Sequence, residues 1–174
     1  GLHTSPHLKD FRERFRINGG MIPEATVTRF VEGYRSGFEP INASFFEWGV
    51  ALALWWFREE AVDIAIIETG MGGRLDSTNV ISPDACVITN IGYDHMDFLG
   101  TTLEAIAGEK AGIIKPGVPV VIGEAEGAVR DVFDQKAREV AAPILQRHGL
   151  RDVDGVAVRV STAPGIRAEQ RAFV

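Results

Sequence analysis

Short apolar segments alternate with helix-type segments along most of this chain, and that alternation limits its fold more than any other feature. Four apolar runs have the length and composition of strands, at residues 64–67, 85–89, 118–122 and 144–145. Three helix-type patterns adjoin them, at about residues 45–60, 101–112 and 126–141. Strands that alternate with helices are typical of a mostly parallel sheet flanked by helices. The sequence therefore predicts an α/β fold.

The first third of the chain is predicted to add an extended segment and another helix. Residues 11–17 alternate apolar with charged side chains, which is typical of a half-exposed extended segment, and a turn at 18–20 closes it. Pro23 and Glu24 then open a helix. The following helix, capped by Asn42 or Ser44, is apolar nearly all round, so we expect it to be buried or to cover another domain.

The last thirty residues have a weaker pattern than the rest of the chain. We expect residues 1–145 to form one partial domain and residues 146–174 to be a tail of uncertain structure. This tail contains a possible edge strand, or the start of a following segment, marked by Val153, Val156, Val158 and Val160. Gly155 and Pro164 interrupt that pattern.

Composition and charge exclude several classes of function. Apolar residues make up 45% of the 174 residues and charged residues 24%, as in an ordinary globular domain. The net charge of −6 and the lack of a long basic run argue against a nucleic-acid surface. No apolar stretch reaches membrane-spanning length. The single cysteine, Cys86, lies in a predicted strand, where a small buried hydrophobe in a reducing compartment is expected, so we predict the cytoplasm.

The loop after the first apolar run carries the most distinctive polar sequence. Glu68 ends the strand, and three glycines, Arg74 and Asp76 follow. Ligands in open α/β sheets bind beyond the carboxyl ends of strands, so Glu68 is a candidate Mg²⁺ ligand. The alternative is a surface acid that caps a helix or pairs with an arginine. The glycines do not match a dinucleotide fingerprint. They indicate either a tight turn or a loop whose backbone approaches a ligand, in which case Asp76 would offer that ligand a hydrogen-bond acceptor.

Further candidates follow the next strand and its helix. His95 lies between Asp94 and Asp97, and neighbouring carboxylates can orient an imidazole that binds a metal. If its strand is the parallel neighbour of the Glu68 strand, the two loops lie close together. Lys110 lies on a helix rich in small residues. Taken alone, it has the pattern of a solvated helix lysine.

Two segments nearer the N-terminus carry small hydroxyls or aromatic rings. Thr4 and Ser5 adjoin a predicted strand end, where hydroxyls bind a cation or a substrate or cap a turn. Phe45 and Phe46 lie at a helix start, between Ser44 and Glu47. Such a pair suits a flat heteroaromatic ligand, although core packing is the commoner use of aromatic rings.

Together, and in this order, these motifs resemble bacterial folylpolyglutamate synthase/dihydrofolate synthase, a branch of the Mur-ligase superfamily. The resemblance covers roughly residues 1–125. The motifs that carry it are Thr4-Ser-Pro-His-Leu8, Arg12-Glu-Arg-Phe-Arg-Ile-Asn-Gly19, Ser44-Phe-Phe-Glu47, Glu68-Thr-Gly-Met-Gly-Gly-Arg-Leu-Asp-Ser-Thr-Asn79, Asp94-His95 followed by Leu99-Gly100, and Gly108-Glu-Lys-Ala-Gly-Ile113.

The resemblance implies an ATP-dependent ligase that adds L-glutamate to dihydropteroate or folates through an acyl phosphate, with Mg²⁺ and ATP required. By motif position, Ser5, Glu68 and His95 match the family's magnesium ligands. Lys110 matches a lysine that the family carries as a carbamate, which is a fourth, anionic oxygen ligand. The resemblance thus gives His95 and Lys110 catalytic roles and replaces the solvated interpretation of Lys110.

The resemblance also implies substrate contacts and missing parts. The residues that match pteroate-binding segments are Ser44, Phe45, Phe46, Glu47, Leu75, Asp76 and Ser77. The family's P-loop lies upstream of Thr4 and its C-terminal domain follows the central one, so we expect this chain to be part of a longer, monomeric enzyme and to be inactive alone. Two alternatives stay open: another Mur-type amide ligase acting on peptidoglycan precursors, and a non-catalytic pterin- or metal-binding remnant.

Overall fold

A computed structural model describes residues 1–145 and 156–159, which contain a single mixed sheet of eight strands with helices packed around it. In chain order the strands and α-helices are β1 (Leu2–His3), β2 (Phe15–Ile17), β3 (Gly20–Met21), α1 (Glu24–Phe38), α2 (Phe45–Glu59), β4 (Ile66–Glu68), β5 (Cys86–Asn90), α3 (Met96–Leu99), α4 (Leu103–Ala111), β6 (Val120–Glu124), α5 (Gly127–Glu139), β7 (Ile144–Leu145) and β8 (Val156–Arg159).

The sheet has the strand order β3-β2-β1-β4-β8-β5-β6-β7. β1 pairs parallel with β4, and β5, β6 and β7 are parallel to one another. Helices precede or follow most of these strands along the chain, so the predicted α/β fold with a mostly parallel sheet and flanking helices is confirmed.

The prediction of an edge strand near the C-terminus is wrong in position. β8 forms at 156–159, but it lies inside the sheet and pairs antiparallel with both β4 and β5. A strand between two others satisfies the backbone donors and acceptors that both of them would otherwise expose. Val153 and Val160 lie outside the described residues, as do the rest of 146–155 and 160–174.

The N-terminal region departs from prediction in one place. A 3₁₀ helix at Phe11–Arg14 takes up the first half of the predicted extended segment. It forms because the Asp10 side chain accepts a hydrogen bond from the Arg12 N–H and Glu13 bonds back to three preceding backbone N–H groups. The predicted turn after β2 is confirmed: Asn18 and Gly19 have φ values of 50° and 83°, as in a two-residue type I′ hairpin.

The apolar helix α2 lies between the sheet and α1. Its buried residues include Leu52, Trp56 and Phe57, which belong to the same core as the strand residue Ile67. On its other side, aromatic rings of α1 contact aromatic rings of α2, and their closest centroids, those of Phe38 and Trp48, are 4.4 Å apart. The prediction that this helix is buried is therefore confirmed.

Cys86 lies fully buried in β5, and its Sγ contacts the carbonyl oxygen of Ile113 at 3.3 Å. Burial raises the pKa of the thiol to about 11, which suits the predicted role of a small core residue. Among residues 1–145 and 156–159, no helix has the length and apolar character needed to span a membrane.

Candidate functional site

A cleft of about 200 Å³ lies at the carboxyl ends of β4 and β5. Glu68 and the loop to Gly72 form one side of it, Thr89 and Asn90 end the second strand, and Asp94, His95 and Lys110 complete the lining. The sequence predicted that the loops after these strands meet. They do, even though β8 separates β4 from β5, because both strands still run in the same direction.

Glu68 is held by the loop after β1. Its Oε2 accepts a hydrogen bond of 2.7 Å from the backbone N–H of Ser5. Two of the four predicted magnesium ligands are therefore neighbours, although Ser5 is not part of the cleft lining. Within the described part of the chain, no lysine, arginine or histidine forms an ion pair with Glu68. The alternative in which Glu68 pairs with an arginine is thus wrong for these residues.

His95 precedes the short helix α3 and has a left-handed backbone, with φ 48° and ψ 38°. Asp94 holds it in two ways: its Oδ1 accepts the His95 backbone N–H at 2.8 Å, and its Oδ2 lies 3.5 Å from Nε2. A carboxylate thus lies beside the imidazole, as the sequence predicted, and its role in orienting the ring stays a prediction. Asp94 itself lines the cleft, a role that its sequence position beside His95 indicated only indirectly.

Lys110 lies in the last turn of α4 and is half-buried rather than solvated. Burial lowers the pKa of its amine from the ordinary value, and the Asp94 carboxylate opposes that shift. A lower pKa increases the fraction of neutral amine at neutral pH. The neutral amine is the form that reacts as a nucleophile, so Lys110 is suited to covalent modification.

The glycine-rich loop packs directly on the end of α4. A Cβ atom on Gly73 would come within 3 Å of the carbonyl oxygens of Glu109 and Lys110, so only glycine fits. The next residue, Arg74, donates its backbone N–H to the Glu109 carbonyl at 2.8 Å and forms an ion pair with the Glu109 side chain at 2.9 Å. The glycines predicted a loop whose backbone comes close to a ligand. At Gly73, the backbone comes close to the end of α4 instead.

Asp76 organises the same loop. Its Oδ2 accepts the backbone N–H groups of Gly70 and Met71, both at 2.9 Å, and its Oδ1 accepts the N–H and hydroxyl of Thr78. We expected this carboxylate to act as an acceptor for a ligand, whereas it accepts these four bonds from its own loop. Of its predicted partners in substrate binding, Leu75 is 79% exposed, and Ser77 begins a 3₁₀ helix.

The predicted substrate segment at the start of α2 contacts the glycine-rich loop. Ser44 and Glu47 form a capping box, in which each side chain bonds to the other's backbone N–H. The ring of Phe46 lies against Gly70, where an added Cβ would be 2.4 Å from its nearest carbon. Phe45 is 60% exposed. The two segments predicted to bind pteroate are therefore neighbours, while their role in binding stays a prediction.

The cleft has the chemistry of a hard-cation site only in part. Within residues 1–145 and 156–159, no group of three or more His, Cys, Asp and Glu side chains is arranged to hold a metal ion. Glu68 supplies one anionic oxygen, and Mg²⁺ in proteins keeps several waters and needs few protein ligands. Asp94 supplies a second carboxylate to the same lining, and Lys110 would add a further anionic oxygen only if its amine were carbamylated. The chemistry of the donor set therefore fits Mg²⁺.

Comparison with known proteins places this cleft in a family. A sequence profile of the Mur ligase middle domain matches residues 21–145. Dihydrofolate synthase/folylpolyglutamate synthase from Escherichia coli is 39% identical over 152 residues, covering 86% of this chain and 35% of the relative. Folylpolyglutamate synthase from Lacticaseibacillus casei is 45% identical over 130 residues, covering 71% of this chain and 30% of the relative.

Solved structures agree with these relatives. A folylpolyglutamate synthase (FPGS) in complex with AMPPCP and folate superimposes with a TM-score of 0.80 at 41% identity, covering 84% of this chain and 37% of that chain. E. coli FolC in complex with DHPP and ADP gives a TM-score of 0.80 at 34% identity, covering 94% and 41%. The predicted resemblance is confirmed.

This chain spans about a third of the length of the curated relatives that it matches. The profile nevertheless covers well over half of the chain itself, and the whole cleft from Glu68 to Lys110 lies inside the matched range. The chain therefore belongs to the Mur ligase family and carries its middle domain.

Proposed function

We propose that this chain is part of a longer ligase that uses ATP to join L-glutamate to dihydropteroate or to a folate. The observation that carries the proposal is the convergence of Glu68, His95 and Lys110 on one cleft, in a chain whose similar relatives are named for this activity. The proposed substrates are all small molecules, and the complete protein is proposed to act as a monomer in the cytoplasm.

In the proposed reaction, a carboxylate oxygen of the acceptor attacks the γ-phosphorus of ATP, ADP leaves, and an acyl phosphate forms. The glutamate amine then attacks the acyl carbon, phosphate leaves, and the amine loses a proton. Mg²⁺ would reduce the repulsion between the acceptor carboxylate and the triphosphate. The Ser5 N–H holds Glu68 at the end of its strand, which supports its role as a ligand for that ion.

Lys110 is proposed to act as a carbamate. Its neutral amine attacks the carbon of CO₂, a C–N bond forms, and one proton is released, which leaves an anionic oxygen pair in place of a cation. Burial favours the neutral amine that this step requires. His95, oriented by Asp94, is proposed to complete the ligand set.

The pterin ring of the acceptor is proposed to bind near the contact between Phe46 and Gly70. This contact joins the Ser44–Glu47 segment to the glycine-rich loop, which also lines the cleft. Aromatic side chains with an exposed face, such as Phe45, suit stacking against a flat heteroaromatic ring.

The test uses the protein encoded by the complete open reading frame. It is incubated with ATP, Mg²⁺ and L-glutamate together with dihydropteroate, a folate or a UDP-linked muramyl acceptor, and ADP and ligated product are measured. The proposal predicts glutamylated product with a pterin acceptor. Product with the muramyl acceptor alone would assign the protein to a different Mur-type ligase. Absence of ADP with every acceptor would indicate a non-catalytic binding protein.

A further inference from the structure

Arg14 lies beside Phe45, in the segment proposed to bind the substrate. Its Nε donates a hydrogen bond of 2.9 Å to Nδ1 of His7, and its guanidinium carbon lies 5.6 Å from the centre of the Phe45 ring. Within residues 1–145, no carboxylate lies within ion-pair distance of it, whereas Arg12 and Arg74 each pair with an acid. Arg14 therefore presents a half-buried positive charge without a negative partner in the described part of the chain.

The backbone at Arg14 is fixed relative to the cleft. Its carbonyl oxygen accepts hydrogen bonds from the Thr4 N–H at 3.1 Å and from Nδ1 of His3 at 3.0 Å. The residue after Thr4 is Ser5, whose N–H binds Glu68. Arg14 is thus attached, through two short hydrogen-bonded links, to the carboxylate that ends β4.

An aromatic surface adjoins the guanidinium. The rings of Phe11 and Phe45 are 5.1 Å apart, and Phe45 remains 60% exposed. Since Nε is bonded to His7, the two terminal nitrogens of Arg14 are the donors without a described partner. A planar guanidinium with two such donors matches a carboxylate in a bidentate geometry. The neighbouring rings favour a ligand that is aromatic as well as anionic.

We propose that Arg14 binds the carboxylate of an aromatic-acid acceptor whose carboxyl-bearing ring packs on Phe45, and that His7 holds the guanidinium in position. This inference rests on the proposed function, because pteroates are the aromatic acids that the ligase would take. It assigns the anion at Arg14 to the acceptor and not to the nucleotide.

The test measures binding by the complete protein and by Arg14→Gln, which keeps a planar polar group and removes the charge. The probes are pteroate, 6-methylpterin, which lacks the carboxylate, and ATP. We expect Arg14→Gln to weaken pteroate binding about 10- to 100-fold, as for loss of a charge-assisted bidentate pair. Binding of 6-methylpterin and ATP should not change. Arg14→Lys keeps the charge without the fork and should give an intermediate loss.

The matched control is Arg16→Gln. Arg16 lies two residues further along the chain, in β2, and its guanidinium donates to the carbonyl oxygens of Glu13 and Gly19, so pteroate binding should be unaffected. If the wild type turns over and Arg14→Gln binds pteroate as tightly as the wild type does, the inference about Arg14 is overturned. The proposed function would remain intact. A loss confined to ATP would overturn it by assigning the anion to a phosphate. Failure of the wild type to glutamylate any pterin would instead reject the proposed function.

Should Arg14→Gln fail to fold, Arg14→Lys decides the matter. A folded Arg14→Lys variant that binds pteroate less tightly than wild type, with unchanged 6-methylpterin binding, supports the inference. Wild-type pteroate affinity in that variant would overturn the bidentate geometry on which the inference depends.

Discussion

Replacing His3 with phenylalanine should change how the stability of this protein depends on pH. The His3 ring is 1% exposed and stacks on Phe15 with centroids 5.2 Å apart. Its Nδ1 lies 3.0 Å from the carbonyl oxygen of Arg14, and its Nε2 is buried without a partner among the described residues. Burial lowers the pKa of this imidazole to about 4.

The sign of the effect follows from the two pKa values. Above about pH 6.5, His3 is neutral in both the folded and the unfolded state and adds no pH dependence. Between about pH 6.5 and 4, the unfolded chain binds a proton that the folded protein does not, so the free energy of unfolding falls as pH falls. At 1.36 kcal/mol for each pH unit, the free energy of unfolding falls by ~3 kcal/mol over this interval.

At neutral pH the same substitution should be almost without effect. Phenylalanine cannot form the hydrogen bond to the Arg14 carbonyl, which costs about 1 kcal/mol, but that carbonyl keeps its bond from the Thr4 N–H. Phenylalanine also removes the unpaired Nε2, whose burial costs about 1–3 kcal/mol. The two changes are opposite in sign and similar in size.

The assay is urea unfolding of the complete protein and of His3→Phe between pH 4.5 and 7.5, followed by circular dichroism. Subtracting the two curves removes the contribution of every other titrating group. We expect the variant to match the wild type near pH 7 and to be more stable by ~2–3 kcal/mol at pH 4.5. Parallel curves over the whole range would refute the assignment of a buried, neutral imidazole at His3.

Three further predictions concern the cleft and its loop. Lys110→Ala should abolish glutamate ligation, and acetate should restore part of the rate by supplying the missing carboxylate oxygens. Lack of rescue by acetate would argue against a carbamate at Lys110. The rate of the wild-type protein at fixed CO₂ should also fall as the pH is lowered, because protonation depletes the neutral amine. Gly73→Ala should destabilise the protein by about 1–3 kcal/mol through its clash with the Glu109 carbonyl, whereas Gly33→Ala, with open space around it inside α1, should stabilise it by about 0.5–1 kcal/mol, as thermal melting would measure. Asp76→Ala should speed hydrogen exchange of the Gly70 and Met71 amides by at least about 10-fold, because it removes their acceptor; unchanged exchange would show that the loop does not depend on this carboxylate.

Elements with a strong local signal were predictable from the sequence. Asn18 and Gly19 favour the type I′ hairpin through their tolerance of positive φ, and both residues adopt it. Ser44, one of two predicted caps of α2, forms the cap with Glu47 as its partner. Each of these features is decided by neighbouring residues in the chain, so sequence patterns suffice to predict it.

Features that depend on distant residues were not predictable. The strand at Val156–Arg159 lies between β4 and β5 because both have free edges there, which an edge-strand pattern cannot indicate. The 3₁₀ helix at Phe11–Arg14 is a local exception: its capping residues Asp10 and Glu13 are neighbours in the chain, but the alternating pattern of residues 11–17 concealed their capping bonds.

The candidate site also has features that were predictable from the sequence and features that were not. The convergence of Glu68 and His95 followed from the rule that carboxyl ends of parallel strands share one edge of a sheet, whereas Lys110 was placed with them only by the family resemblance. The buried imidazole of His3 and the unpaired charge of Arg14 were not anticipated, because burial and the lack of a charge partner are properties of the tertiary structure. The bonds made by Asp76 were missed because the amides of Gly70 and Met71 come to it only when the loop closes.

The most direct test of the account is the rate of ATP-dependent glutamate incorporation by Glu68→Gln in the complete protein. Glutamine keeps an oxygen that can accept the Ser5 N–H, so the melting temperature should not change, but it removes the negative charge proposed to bind Mg²⁺. The account predicts a loss of at least about 100-fold at saturating ATP and Mg²⁺. Incorporation at the wild-type rate by the folded variant would contradict the assignment of this cleft as the magnesium site of a glutamate ligase.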